Sequence, residues 1–143
     1  LSALHVMCTV NALCLDSLPA LIDIMIEWKR TYGPDYPNFT LNILRFPSFQ
    51  SAVVLPKRIK DDVAQQLSIK LKLFKDDLHE MEANQIARLI EYLKTIETPH
   101  TGADTLDKLQ RDFKNFYTQY DTRRGKSFEK TFSNELVTWY EQI

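Results

Sequence analysis

The chain has 143 residues, enough for one domain and too few for two of ordinary size. Apolar residues make up 44% and charged residues 26%, and the formal net charge of −1 gives no long-range field to draw in nucleic acid or an anionic membrane. No apolar run approaches the ~20 residues that span a bilayer, and Leu1 to Leu15 has no basic leader ahead of its apolar part.

Leu4 to Leu13, LHVMCTVNAL, reads as a first buried strand. Thr9, Asn11 and Leu13 share one face; Val10, Ala12 and Cys14 share the other. Asn11 stands out as an amide in an apolar run, and a buried amide without partners costs about 1–3 kcal/mol. Two assignments fit it: a satisfied core amide bridging neighbouring strands, or a ligand contact near the strand's carboxyl end. Cys8 and Cys14 have neither zinc spacing nor the C-x-x-C of redox motifs. They read as buried reduced thiols, which implies a reducing compartment and a cytoplasmic protein. His5, His79 and His100 each lack a second ligand at i+3 or i+4, so no metal site is expected from them.

Asp16 or Ser17 can cap the first helix, with Pro19 in its first turn. Leu18, Leu21, Ile22, Met25 and Trp28 recur at helical spacing. Lys29 and Arg30 suit the last turn, and Gly33–Pro34 ends it. Leu41 to Leu44 is a short aliphatic run of the kind expected for a strand buried on both faces. Strand, helix and strand at these lengths make a right-handed βαβ unit with parallel strands.

The strand must stop at Pro47, which has no N–H for a ladder. There the side chains turn polar and aromatic: Arg45, Phe46, Ser48, Phe49 and Gln50. Ligands of parallel α/β folds bind outside the carboxyl ends of the strands, which makes Arg45 to Gln50 the most site-like stretch. An ordinary strand-to-helix loop with a surface arginine has the same spacing.

Pro56 starts a second helix with Ile59, Val63, Leu67, Leu71, Phe74 and Leu78 on its apolar side. A break falls near Asp76 to Glu82. A third helix buries Ile86, Leu89, Ile90, Leu93 and Ile96 and closes at Pro99 and Gly102. A fourth follows Asp104 or Thr105, with Leu106, Leu109, Phe113, Phe116, Tyr117 and Tyr120 as a core stripe. Gly125 turns the chain, and Ser133 caps a last short helix. Arg123–Arg124 fits either favourable cations at a helix end or a clamp on a carboxylate or phosphate. The aromatics between Arg111 and Arg124 form one apolar stripe with acids mixed in, which argues against a nucleic-acid surface.

Two parallel strands do not make a stable sheet by themselves, and both would present unpaired edges. The expectation is therefore a piece of something longer, with further strands upstream. Residues 1–56 would hold two strands and a crossover helix, and 57–143 a helical extension of three to four helices. G-x-G-x-x-G, Walker A, G-x-S-x-G and H-E-x-x-H motifs are absent.

Val6 to Leu13, then Asn42 to Ser51 (NILRFPSFQS) and Leu55–Pro56, resembles the later part of radical S-adenosylmethionine (SAM) proteins of the twitch or SPASM-related kind. Tyr120 to Gly125, with Phe128 and Thr131–Phe132, is similar to the same group's C-terminus. The resemblance covers nearly the whole chain, and NILRFPSFQS is its most specific part. It implies an α/β fold, the C-terminal edge of a partial (β/α)6 barrel, in which a 4Fe–4S cluster reduces SAM and the resulting radical abstracts hydrogen from a substrate. Carried onto this sequence, Asn11, Leu44, Arg45 and Phe46 would face the SAM cofactor, and Ser48, Gln50 and Arg124 the substrate. The C-x-x-x-C-x-x-C cluster loop is absent, and no cysteine follows Cys14. The chain would thus bind no cluster and be inactive alone, with the missing N-terminal half of the same protein as its partner. Two other readings stay open: a non-catalytic βαβ–helical module that docks on a partner protein, and an iron-free barrel enzyme using Arg45 and Arg124 for an anionic substrate.

Overall fold

The computed structural model describes residues 2–143. Two strands, β1 (His5–Val10) and β2 (Asn38–Ile43), pair in parallel, His5 opposite Asn38 through Val10 opposite Ile43. The crossover between them is α1 (Leu18–Tyr32). Then come α2 (Lys57–Leu73), α3 (Glu80–Thr95), α4 (Leu106–Arg124), α5 (Phe128–Thr131) and α6 (Asn134–Gln142). The fold is mixed α/β, with five helices after the βαβ unit among the described residues rather than three or four. The short α5 was not legible because a four-residue helix leaves no periodicity to read. Buried residues from Val10 to Tyr140 form one hydrophobic cluster that includes both sides of position 56.

Both strands depart from the expected bounds. β1 ends at Val10 because Asn11 leaves the ladder: its Oδ1 accepts the Leu13 and Cys14 N–H groups at 2.9 and 3.2 Å. That is the local side-chain bond by which asparagine competes with a strand. β2 starts earlier than the aliphatic run and is buried on one face only. Phe39 and Leu41 are inside with Val10, while His5, Met7, Thr9 and Asn42 face out. Thr40, partly buried, lies opposite Met7 on that same outward side. Aliphatic composition alone did not show that Thr40 and Asn42 mark an open face.

The two edges of the sheet differ. Asn38 N–H to Leu4 O and Leu44 N–H to Val10 O bracket the ladder at 2.8 and 2.9 Å. The alternation between them points the N–H groups of Phe39 and Leu41 away from β1. These do not stay unpaired, contrary to expectation. Glu82 Oε2 on α3 accepts the Phe39 N–H at 2.9 Å, and Gln85 Oε1 accepts the Leu41 N–H at 2.5 Å. Arg88 Nη2 donates to Leu41 O at 3.5 Å. Three polar side chains on one side of α3 thus close the β2 edge. On β1 the same alternation leaves the His5 and Met7 backbone groups pointing outward.

Glu82 also anchors the junction below. It is 2% exposed, bonds the His79 N–H as a capping box, and pairs with the equally buried Lys29 at 2.9 Å. Lys29 Nζ donates in addition to Pro34 O at 2.7 Å. The α4 stripe is core only at Leu109 and Phe113. Phe113 packs on Trp139 at 5.1 Å between centroids, and Gln110 Nε2 bonds Val54 O at 2.9 Å. Phe116 and Tyr120 are exposed farther along, and so is Leu106 at the amino end.

Candidate functional site

The polar stretch after β2 forms one wall of a cleft of about 310 Å³. The Phe46–Pro47 peptide bond is cis, and Ser48–Gln50 and Ala52–Val54 follow as two tight 3-10 turns. Ser51 holds the two turns together: its Oγ donates to Ser48 O at 2.9 Å and accepts the Val53 N–H at 3.4 Å. Arg45, Phe46 and Ser48 line the cleft. Tyr92 of α3 and Asp104 lie across from them.

The Arg45 guanidinium sits 5.1 Å from the centre of the Tyr92 ring, a cation–π distance. Burial pushes the Tyr92 phenol above its ordinary value, against the opposing pull of Arg45 and of a hydrogen bond with Ser51. Tyr92 is therefore a neutral hydrogen-bonding group at physiological pH. Phe46 is 78% exposed, a large apolar ring in solvent beside the arginine. Together these groups suit a ligand that carries an anionic group for Arg45 and a planar or apolar part for Phe46. Glu97 and Asp104 add negative charge to the rim and favour ligands that also carry a positive centre.

The structure gathers Arg45, Phe46 and Ser48 but not the rest of the expected set. Leu44 is half-buried just before them, its N–H on Val10 O. Asn11 spends its amide oxygen on its own turn, so it is neither a bridge between strands nor wholly free for a ligand. Gln50 contributes its backbone, whose O accepts the Ala12 N–H at 2.9 Å, and does not line the cleft. Arg124 lies exposed in the last turn of α4, before Gly125 in the left-handed region, and does not line the cleft either. Tyr92, Ser51 and Asp104 were missed. Tyr92 follows the buried Leu89 and Ile90 in α3, and only its phenol distinguishes it from another stripe residue.

A second cleft, about 440 Å³, lies at the amino ends of the strands and includes His5, Asp35, Asn38, Thr40 and His79. Its histidines are engaged. His79 takes the N–H of the third α3 residue in the capping box and contacts Asp35 Oδ1 at 2.9 Å, while His5 Nε2 contacts Thr40 Oγ1 at 2.6 Å. Among the described residues no group of three His, Cys, Asp or Glu side chains is placed to hold a metal ion. No helix there is long and apolar enough to cross a membrane.

No protein-family model, curated protein or solved structure matches this chain.

Proposed function

We propose that this chain is the C-terminal portion of a radical SAM enzyme and contributes the SAM- and substrate-side edge of its barrel. The observation that carries the reading is the asymmetry of the sheet. The β2 edge is closed by Glu82, Gln85 and Arg88, as a last strand requires, while β1 keeps outward backbone groups at His5 and Met7. Further strands can add only beside β1, and the exposed face bearing Met7 would become the inside of a barrel. The Arg45 cleft stands at the carboxyl ends of the strands, where such a barrel binds its ligands.

The chain's own donors do not fit a 4Fe–4S cluster, which takes several cysteine thiolates. Cys8 and Cys14 are its only cysteines, so on this reading the cluster's ligands would lie upstream. The residues present bind and orient. Arg45 would pair with a carboxylate by a charge-assisted bond, its guanidinium held 5.1 Å from the centre of the Tyr92 ring. Phe46 and Leu44 would cover the adenosyl part and keep water from it. Ser48 would hold a polar substrate group. SAM is a zwitterion with an added sulfonium, which suits a cleft carrying Arg45 on its wall and Glu97 and Asp104 on its rim. Free thiols at Cys8 and Cys14 accord with a cytoplasmic site of action.

The test is to read the coding sequence upstream of Leu1. A C-x-x-x-C-x-x-C loop is expected within the preceding ~100–200 residues, a typical domain length. A reading frame that opens near Leu1, or an upstream region without those cysteines, overturns the proposal. The second reading, a non-catalytic module that docks on a partner sheet, draws on the same open β1 edge and on Met7, 72% exposed beside it. It predicts a complete gene of about this length and a stable complex with a separate protein.

A further inference from the structure

The two flanks of α1 are unlike. Its buried face carries Leu18, Ile22, Met25 and Lys29. On one side of that face, Asp23 pairs with Lys70 of α2 at 2.6 Å, and Arg30 pairs with Asp77 just beyond α2 at 2.8 Å. On the other side, the helical repeat places Ile24, Trp28 and Tyr32 in one row, each four residues from the next. They are 44%, 43% and 69% exposed. Trp28, whose spacing suggests the buried stripe, belongs to this row instead. Trp28 and Tyr32 line an apolar groove of about 570 Å³ with Leu4 and Tyr36.

This flank lies on the same side of the molecule as the open edge of β1. α2 and α3 stand on the β2 side, because α3 closes the β2 edge and α2 packs on α3. The flank of α1 turned from α2 is therefore turned toward the outer edge of β1, where the His5 and Met7 backbone groups point outward. Leu4, just ahead of β1, joins the two features in the groove.

We propose that the row Ile24, Trp28 and Tyr32 is the seat of an amphipathic helix that leads into β1 from the segment preceding Leu1. The inference rests on the reading that further strands add beside β1, and not on the cluster chemistry. A parallel strand placed there and running on into β1 crosses over right-handedly. Its helix then lies on the same face of the sheet as α1, beside it and away from α2. One strand–helix unit thereby covers both open features: its strand takes the backbone groups of His5 and Met7, and its helix takes the row. A row of residues four apart is the ridge that one helix sets into the groove of another. Ile24, Trp28 and Tyr32 carry no charge, so the seated face of the incoming helix is apolar. A second copy of this chain paired edge to edge would leave the sheet face bearing Met7, Thr9 and Asn42 in water, whereas a closing sheet puts it inside.

Hydroxyl-radical footprinting, read residue by residue by mass spectrometry, tests this on the 143-residue chain and on the full-length parent. In the 143-residue chain Trp28 and Tyr32 should oxidise readily and the buried Trp139 hardly at all. In the parent, Trp28 and Tyr32 should react several-fold more slowly, with Trp139 unchanged. Equal reactivity of Trp28 and Tyr32 in the two proteins overturns the proposal, even where the upstream segment has its cysteine loop. Protection in a parent without that loop supports the proposal while the enzyme reading falls. A reading frame that opens near Leu1 removes the occupant and overturns both. A 143-residue chain that sediments as a dimer with Trp28 already protected assigns the row to a second copy and overturns this inference alone. Tyr32→Glu gives a second readout: its urea midpoint should stay near wild type in the 143-residue chain and drop in the parent. A parent that tolerates the charge also overturns the proposal. The wild-type footprint decides the matter even if that variant does not fold.

Discussion

Lys29 and Glu82 form an ion pair at 2.9 Å with side-chain exposures of only 2% and 3%. The pair joins the carboxyl end of α1 to the amino end of α3, and Glu82 also carries the Phe39 and His79 N–H groups. Removing one partner of a buried pair strands the other charge at a cost of about 3–5 kcal/mol. Glu82→Ala should fall at the upper end of that range because it frees three donors at once. Lys29→Met should cost less, since Glu82 keeps its two backbone donors. Urea unfolding of both variants checks the order; equal losses would show that the backbone bonds to Glu82 contribute nothing.

Gln85 is predicted to hold the middle of the β2 edge. Gln85→Ala leaves the Leu41 N–H without its partner, and an unsatisfied buried donor costs about 1–3 kcal/mol. Hydrogen exchange at the Leu41 amide reads this directly. Faster exchange is expected in Gln85→Ala, with the Thr40 and Asn42 amides, which face β1, little changed.

Much of the frame behind these bonds was legible in the sequence. Helical spacing located α1 to α4, Gly125 and Ser133 marked the turn and cap they were expected to mark, and the parallel pair followed from connection length. The closure of β2 was not legible. Glu82 fell in the expected break between helices and Gln85 and Arg88 drew no notice, because charge and spacing cannot distinguish a side chain that meets water from one that meets a strand edge. At the site, Arg45, Phe46 and Ser48 were marked by the stop at Pro47. Asn11, Gln50 and Arg124 were drawn in by residue type, and backbone geometry sends them elsewhere.

Asp77 gives the chain an acid-side pH dependence. The Arg30 guanidinium, at 2.8 Å, hydrogen-bonds its carboxylate and holds it below its ordinary value of 3.8. A folded-state value below the unfolded one means the pair's contribution is full above pH ~4 and fades as pH falls through the folded value. Both groups are near the surface, so the effect is small and salt-sensitive. Wild type and Asp77→Asn should differ slightly in stability at neutral pH and converge in acid. A difference that persists at the lowest pH would assign the effect to something other than this carboxylate.

Arg45 is predicted to carry the ligand's anionic group. On the proposed enzyme reading, Arg45→Ala in the parent protein should weaken SAM binding by about 1.5–3 kcal/mol, the range for a hydrogen bond to a charged group. Arg45→Lys should recover only part of this, because an ammonium cannot bind a carboxylate in two places. Calorimetric titration measures all three. Unchanged affinity in Arg45→Ala would leave the cleft without its proposed anchor.

Met7 offers a way to separate the two edges of β1. Its N–H points away from β2, whereas the Cys8 N–H points toward it, by the same alternation that sends Phe39 and Leu41 to α3. Proline is tolerated on a strand where its missing N–H would have faced solvent, and not where it breaks a ladder. Met7→Pro should therefore leave the 143-residue chain folded, with the helical circular dichroism and urea midpoint close to wild type, while Cys8→Pro should lower the midpoint clearly. If further strands pair beside β1, Met7→Pro should also abolish co-purification with a separately expressed upstream half. Retention of that complex by a folded Met7→Pro chain would mean that the two halves meet elsewhere, and the barrel-edge proposal would lose the feature it stands on.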